Sequence, residues 1–171
     1  THAEVVLQLH QQLELLDGIE RQIGNQVGCG CNLAFDAQAL AQLPEGVRPN
    51  VIHQTGKQHF AAVQQLYRQA GVQADIRSFL DDMAASYANA DVVICRAGAL
   101  TIAELAAAGV ASILIPFPFA VDDHQTHNAR FLTGRNAAWL LPQSELSAEK
   151  LAQLLRELAD SQQGREKLSV M

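Results

Sequence analysis

The stretch that decides the fold runs from residue 91 to residue 109 and reads DVVICRAGALTIAELAAAG. It opens with a continuous apolar run, Val92 to Cys95, which is typical of a strand buried on both faces of a parallel sheet. A helical pattern from about Leu100 to Ala108 follows, and Gly109 stands where that helix is expected to end. A buried strand that leads directly into a helix predicts one β-α unit of a parallel sheet.

The same alternation extends in both directions from this unit. Predicted strands cover residues 50–56, 74–79, 91–95, 111–116 and 137–141, and predicted helices cover residues 57–70, 82–88, 100–108, 124–133 and 148–159. Gly71 and Gly134 are further expected helix ends, and Ser147 suits the start of the last helix. Strands that alternate with helices at this spacing predict an α/β fold with a doubly wound, Rossmann-like parallel sheet.

The first part of the chain departs from this pattern. Residues 2–16 are rich in Gln and Leu and favour a helix, whereas residues 24–31, GNQVGCGC, fit no regular element. We therefore predict an atypical segment over residues 1–37, with a disordered or non-native structure as one interpretation, in front of a truncated domain over residues 38–171. Loss of a first strand would leave a sheet edge unpaired, so a non-catalytic remnant is one alternative for the whole chain.

Composition limits the classes of partner. The formal net charge of −6 argues against nucleic acid, because nucleic-acid binders usually carry a basic face. No apolar run reaches the roughly 18 residues of a membrane span, and no secretory signal opens the sequence. The three cysteines, Cys29, Cys31 and Cys95, do not suit a disulfide framework, which favours a reducing cytoplasm.

The loop after the central strand carries the first candidate site. Ligands of open parallel sheets bind outside the carboxyl ends of the strands. Gly98 is expected to allow a backbone conformation closed to other residues, and the unpaired amides that follow it suit a diphosphate. Thr101 adds a hydroxyl, and Glu104, one turn further on, can accept both hydroxyls of a ribose. A plain β-α turn with a capping threonine is the alternative.

A second polar loop precedes the helix that is predicted from residue 124. Asp122 and Asp123 suit a helix start, and His124 and Gln125 present groups that recognise sugar hydroxyls. A metal site of Asp122, Asp123, His124 and His127 is disfavoured, since adjacent side chains at a helix start diverge. Cys29 and Cys31 lack a second ligand pair for zinc, and Cys95 is expected to pack in the core. We predict no metal and no cofactor.

Several ordered motifs resemble one known family. They are Phe79-Leu80-Asp81-Asp82-Met83, Ala90 to Thr101, Glu104 to Gly109, Ile115-Pro116-Phe117, Asp123-His124-Gln125 before Asn128-Ala129, and His53-Gln54-Thr55-Gly56-Lys57. Over about residues 38 to 168 the chain resembles the C-terminal domain of the peptidoglycan N-acetylglucosaminyltransferases, which transfer N-acetylglucosamine from UDP to undecaprenyl-diphospho-muramoyl-pentapeptide. The family pairs two Rossmann-like domains and has its active site in the cleft between them.

The resemblance implies a role for each candidate residue. Uracil would lie against the backbone of Phe79 and Leu80, and Glu104 would bind the ribose. The diphosphate or adjoining sugar would meet the turn from Gly98 through Ala99, Leu100 and Thr101. His124 and Gln125 would contact the N-acetylglucosamine of the donor, UDP-N-acetylglucosamine.

The resemblance also implies what lies outside this domain. The catalytic base, the lipid-linked acceptor site and the membrane contact of the family belong to its N-terminal domain, at the cytoplasmic face of the inner membrane. A Gly-Gly-Ser-x-Gly-Ala loop typical of the family has no counterpart in residues 1–37. A related UDP-sugar enzyme, such as a lipid glucosyltransferase or an epimerase, is the remaining alternative.

Overall fold

All six strands of the sheet in the computed structural model run parallel, and helices cover both of its faces. The structure describes residues 4–8, 31–118 and 123–160. The strands are β1 (Glu4–Gln8), β2 (Asn50–Gln54), β3 (Asp75–Arg77), β4 (Val92–Cys95), β5 (Ala111–Leu114) and β6 (Ala138–Leu140). The helices are α1 (Cys31–Ala41), α2 (Gly56–Ala70), α3 (Met83–Ala88), α4 (Ala99–Ala108), α5 (His124–Thr133) and α6 (Ala148–Asp160), with 3₁₀ turns at Glu45–Val47 and Gln143–Glu145.

The strand order β3-β2-β1-β4-β5-β6 confirms the predicted doubly wound sheet. β1 pairs with both β2 and β4, so the chain winds outward in one direction from β1 and in the other direction from β4. In sheets of this topology, ligands bind at the carboxyl ends of the strands where the direction of winding reverses, which are β1 and β4 here.

The expected helix over residues 2–16 is wrong for residues 4–8, which form the central strand β1. Val5 and Val6 are both buried and lie in different core clusters, as neighbouring residues of a strand covered on both faces must. Because β1 lies between β2 and β4, the unpaired sheet edge expected from the loss of a first strand does not form. The boundary predicted after residue 37 falls inside α1. The irregular stretch predicted from residue 24 lies almost wholly outside the described residues.

Two apolar cores lie on opposite faces of the sheet, and β4 shows why. Val92 and Ile94 face the first core, which α1, α2 and α6 cover, whereas Val93 and Cys95 face the second core under α3, α4 and α5. The two-residue period of a strand distributes a continuous apolar run to both sides. Burial on both faces is thus the physical reason why residues 92–95 lack polar alternation.

The remaining predicted strands and helices are confirmed to within two residues at each end. Gly71 and Gly109 end α2 and α4 with φ angles of 65° and 68°, a left-handed conformation that favours glycine. Ser147 starts α6, because its hydroxyl accepts a hydrogen bond from the Lys150 amide at 3.1 Å. Within the described ranges, no helix has both the length and the apolar character needed to cross a membrane.

Candidate functional site

The candidate site lies at the carboxyl edge of the sheet, which we define as residues 78–82 after β3, 96–98 after β4 and 115–118 after β5, together with the first turns of α4 and α5. Helices begin at this edge. Their first-turn amides have no partner within the helix, and their dipoles place a partial positive charge there. The edge is therefore suited to an anionic ligand.

The first turn of α4 presents such amides, but not for the predicted reason. Gly98 starts the helix with φ −63° and ψ 146°, an extended conformation that any residue adopts, so the expected need for glycine is wrong here. Ala99, Leu100 and Thr101 supply the first-turn amides. The Leu100 side chain is 68% exposed, whereas the Thr101 side chain is buried.

Glu104 lies one turn further along α4 and is half-buried. Its Oε2 atom is buried and has no hydrogen-bond partner among the residues that the structure describes. Burial, and secondly the negative charge of Glu104, raise the pKa of Cys95 to about 12. The Glu104 carboxylate thus lies near the end of β4, and Cys95 stays a neutral thiol in the core at neutral pH.

Arg96 connects the loops that follow β4 and β5. Its buried guanidinium donates from Nη1 to the carbonyl oxygens of Ile115 and Pro116, at 3.1 and 3.2 Å. The Cζ atom lies 5.5 Å from the ring centroid of Phe117. These contacts fix the second loop relative to the first, a role that the sequence analysis did not assign to Arg96.

The two predicted sugar ligands on α5 lie in different environments. His124 is exposed, whereas Gln125 is 1% exposed and its Oε1 atom accepts a hydrogen bond from the Phe117 amide at 2.9 Å. Asn128, one turn on, donates from Nδ2 to the carbonyl oxygen of Ala97 at 3.1 Å. Gln125 and Asn128 therefore join α5 to both loops, and a sugar contact of His124 and Gln125 stays a prediction.

The start of α5 differs from the expected cap. Asp123 precedes the helix with a left-handed φ of 52°, and its Oδ1 atom accepts from the Thr126 hydroxyl at 2.6 Å rather than from a backbone amide. Asp122 lies outside the described residues. Among the described residues, no three His, Cys, Asp or Glu side chains cluster in a way that could hold a metal ion.

Phe79 and Leu80 form the turn after β3. The Phe79 ring is 64% exposed, whereas Leu80 is 2% exposed and belongs to the second core. The Leu80 amide donates to Oε1 of Gln54, at the end of β2, over 3.0 Å. The turn therefore combines an exposed aromatic ring with a firmly held peptide.

A buried carboxyl group that the sequence analysis missed lies behind this edge. Asp36 on α1 is 2% exposed, and its Oδ2 atom has no hydrogen-bond partner in the described part of the chain. Burial raises its pKa to about 7, although the charge of Arg96 acts in the opposite direction. Burial and the Asp36 charge also raise the pKa of Tyr67, whose hydroxyl lies 3.1 Å from Nδ1 of His53.

Comparison with known proteins gives consistent results. The sequence profile of the glycosyltransferase family 28 C-terminal domain matches residues 18–169. A UDP-N-acetylglucosamine--N-acetylmuramyl-(pentapeptide) pyrophosphoryl-undecaprenol N-acetylglucosamine transferase of Bordetella parapertussis is 57% identical over 133 residues, which are 78% of this chain and 37% of that protein. The transferase of the same description from Nitrosospira multiformis is 55% identical over 133 residues, with the same coverage of both chains.

The fold matches solved structures over nearly its whole length. The crystal structure of Acinetobacter baumannii MurG superposes with a TM-score of 0.79 and 36% identity, over 99% of this chain and 46% of that one. The glycosyltransferase of kitacinnamycin has a TM-score of 0.69 at 19% identity, a likeness of fold alone. The chain thus spans well under half the length of the curated relatives that it matches.

Proposed function

Because this chain belongs to the glycosyltransferase family 28 C-terminal domains, we propose that it is the donor-binding domain of an inverting glycosyltransferase. The whole enzyme transfers N-acetylglucosamine from UDP to a lipid-linked muramoyl-pentapeptide during peptidoglycan synthesis. The observation that carries this proposal is the arrangement on α4, where the first-turn amides and the partly buried carboxylate of Glu104 lie one turn apart.

This arrangement suits the two chemically different parts of a nucleoside diphosphate. The diphosphate binds at the amides of Ala99, Leu100 and Thr101, where the helix dipole favours negative charge. The ribose hydroxyls donate to Glu104, whose Oε2 atom gains the partner that the described residues do not supply. A carboxylate at this depth also disfavours a misplaced phosphate, because like charges repel.

The other donor contacts follow the same edge. Uracil lies on the turn of Phe79 and Leu80, and N-acetylglucosamine lies near His124 and Gln125 at the start of α5. The helix-terminal amides stabilise the charge that develops on departing UDP, so the transfer uses no metal and no further cofactor. The base that activates the acceptor hydroxyl, the lipid-linked acceptor site and the contact with the cytoplasmic face of the membrane belong to a partner domain outside this chain.

Calorimetric titration of the chain with UDP and UDP-N-acetylglucosamine tests the proposal. We expect saturable binding of both, and a loss of about 1–3 kcal/mol of binding free energy in Glu104→Ala, the range for a charged hydrogen-bonding group. Glu157→Ala is the matched control, since it removes the same charge from the exposed side of α6 and leaves the site intact.

Two results would contradict the proposal. Unchanged UDP affinity in a folded Glu104→Ala variant removes the ribose assignment. Absence of UDP binding by a cooperatively folded chain supports the non-catalytic alternative instead. The sequence argument for that alternative was an unpaired sheet edge, which the presence of β1 removes. Competition among UDP-sugars separates a transferase of N-acetylglucosamine from a glucosyltransferase or an epimerase.

A further inference from the structure

Gln54 occupies an unusual position for a polar side chain. It ends β2, is 4% exposed, and lies in register with Gln8 of β1 and Arg77 of β3. Its Oε1 atom accepts the hydrogen bond from the Leu80 amide, 26 residues further along the chain. A buried amide side chain thus holds one peptide of an exposed turn.

This hydrogen bond determines where the neighbouring carbonyl group points. The peptide between Phe79 and Leu80 is trans, so its N–H and C=O bonds point in opposite directions. Because the Leu80 N–H points towards Gln54, the Phe79 carbonyl oxygen points away from Gln54. The buried Leu80 side chain prevents the turn from rotating as a whole.

We propose that Gln54 is a positioning residue that sets which nucleobase the Phe79–Leu80 turn accepts. The inference rests on the proposed function, since it places the base of the donor on this turn. A carbonyl oxygen is only an acceptor. It pairs with the ring N–H of uracil and opposes the ring-nitrogen lone pair that cytosine presents at the same position.

The exposed ring and the carbonyl group contribute in different ways. Stacking on the Phe79 ring is open to every base, because every base has a π-face. Selectivity therefore depends on the direction of the carbonyl group. Without an acceptor at Gln54, the Leu80 N–H would be buried without a partner, and the peptide would turn to find one.

The test compares the affinities for UDP and CDP in the wild-type chain and in two variants. Gln54→Met keeps the length of the side chain but removes the acceptor, and we expect the preference for UDP over CDP to fall about tenfold, the factor for one buried hydrogen bond. Thr55→Val is the matched control. It removes a buried hydroxyl that contacts the carbonyl oxygens of Gly56 at 2.9 Å and Arg77 at 3.3 Å but takes no part in the Gln54–Leu80 hydrogen bond, and its preference should equal that of the wild type.

Two more variants distinguish loss of the hydrogen-bond acceptor from a general loss of stability. Gln54→Glu retains an acceptor oxygen at the same reach and should keep the preference for UDP even if it lowers the unfolding temperature. If Gln54→Met does not fold, Gln54→Asn takes its place, because its shorter amide cannot reach the Leu80 N–H. The inference is overturned if Gln54→Met, or Gln54→Asn in its place, keeps the wild-type preference for UDP over CDP.

The outcomes also separate this inference from the proposed function. Equal binding of UDP and CDP by the wild-type chain overturns the role of Gln54 and leaves the donor site standing. Binding of neither nucleotide overturns both. Loss of the UDP preference in Gln54→Met, with the preference retained in Gln54→Glu and Thr55→Val, supports the positioning role.

Discussion

The amino and carboxyl edges of the sheet hold their loops in the same way but differ in the charge that they offer a ligand. At the amino edge, Arg48 donates to the carbonyl oxygens of Leu43 and Ala41 at 2.9 and 3.2 Å, much as Arg96 holds the loop after β5 at the carboxyl edge. The amino edge also contains a cavity of about 700 Å³, lined by residues 45, 48–52 and 71–75. By space alone, the amino edge offers room for a ligand.

The partial charges of the helix ends favour the carboxyl edge for an anionic ligand instead. α2 ends at the amino edge, so its last carbonyl groups place partial negative charge beside the cavity. α4 and α5 begin at the carboxyl edge and present amides. A diphosphate is therefore disfavoured in the cavity and favoured at the carboxyl edge. The direction of the helices, and not the size of a cavity, locates the candidate site.

The largest effect that we expect comes from Asp36, behind the carboxyl edge. Its pKa of about 7 in the folded chain exceeds the ordinary value of 3.8, so the folded state binds more protons between these values. The free energy of unfolding therefore falls as the pH rises from about 4 to 7. Asp36→Asn removes this cost, and we expect it to stabilise the chain by about 4 kcal/mol at pH 8 and hardly at all near pH 4.

Urea unfolding at pH 4, 6 and 8 measures this difference. Glu45→Gln is the control, since it neutralises an exposed carboxylate at the amino edge and should change the stability little at any of the three pH values. A stability gain in Asp36→Asn that does not grow with pH would show that the buried carboxyl group is not the cause. Arg96, whose positive charge lowers the pKa of Asp36, and Tyr67, whose pKa lies above all three pH values, stay unchanged in the comparison.

The second-largest effect comes from Arg96, and Arg48 provides the most direct comparison between the two edges. Arg96→Met leaves the carbonyl groups of Ile115 and Pro116 without their donor, and we expect a loss of about 2–3 kcal/mol of stability, the range for hydrogen bonds of a charged group. Arg48→Met removes the corresponding contacts at the amino edge. We expect both variants to be less stable, but only Arg96→Met to bind UDP more weakly.

Thermal unfolding and titration with UDP separate the two consequences. Equal losses of UDP affinity in Arg96→Met and Arg48→Met would show that any loosening of the domain weakens the site. In that case the comparison between the edges would fail, because UDP binding at the candidate site would depend on global stability and not on the loops after β4 and β5.

Most of the fold could be predicted from local patterns, and β1 shows where they fail. The apolar run of β4 is long enough to identify a buried strand, and the glycines after α2 and α4 mark the helix ends. Val5, Val6 and Leu7 form an apolar run of only three residues in a Gln- and Leu-rich context. Their strand forms because β2 and β4 pair with it on both sides, and such long-range pairing leaves no local pattern.

The candidate site likewise combines features that local patterns predict with features that depend on long-range contacts. The spacing of Thr101 and Glu104 along one helix face was readable from the sequence. The partners of Arg96 and Gln54 lie 19 to 26 residues away along the chain, so no local motif reveals them. The expectation for Gly98 was wrong because a glycine in a sequence does not state which φ it adopts. The spacing of proposed ligand contacts along one helix is thus easier to predict than the residues that hold the surrounding loops in place.

The smallest effect compares two asparagines that each donate from Nδ2 to a backbone carbonyl group. Asn128 donates to Ala97 at the carboxyl edge over 3.1 Å, and Asn89 donates to Ala85, at the end of α3 and the amino edge, over 2.8 Å. We expect Asn128→Ala to cost about 1 kcal/mol of stability and to weaken UDP binding roughly threefold. Asn89 is exposed, and its contact lies within one helical turn, so Asn89→Ala should cost less and leave the UDP affinity unchanged. Titration of both variants with UDP at one temperature tests this difference. Weaker UDP binding in Asn89→Ala would contradict it, because the two edges would then be coupled.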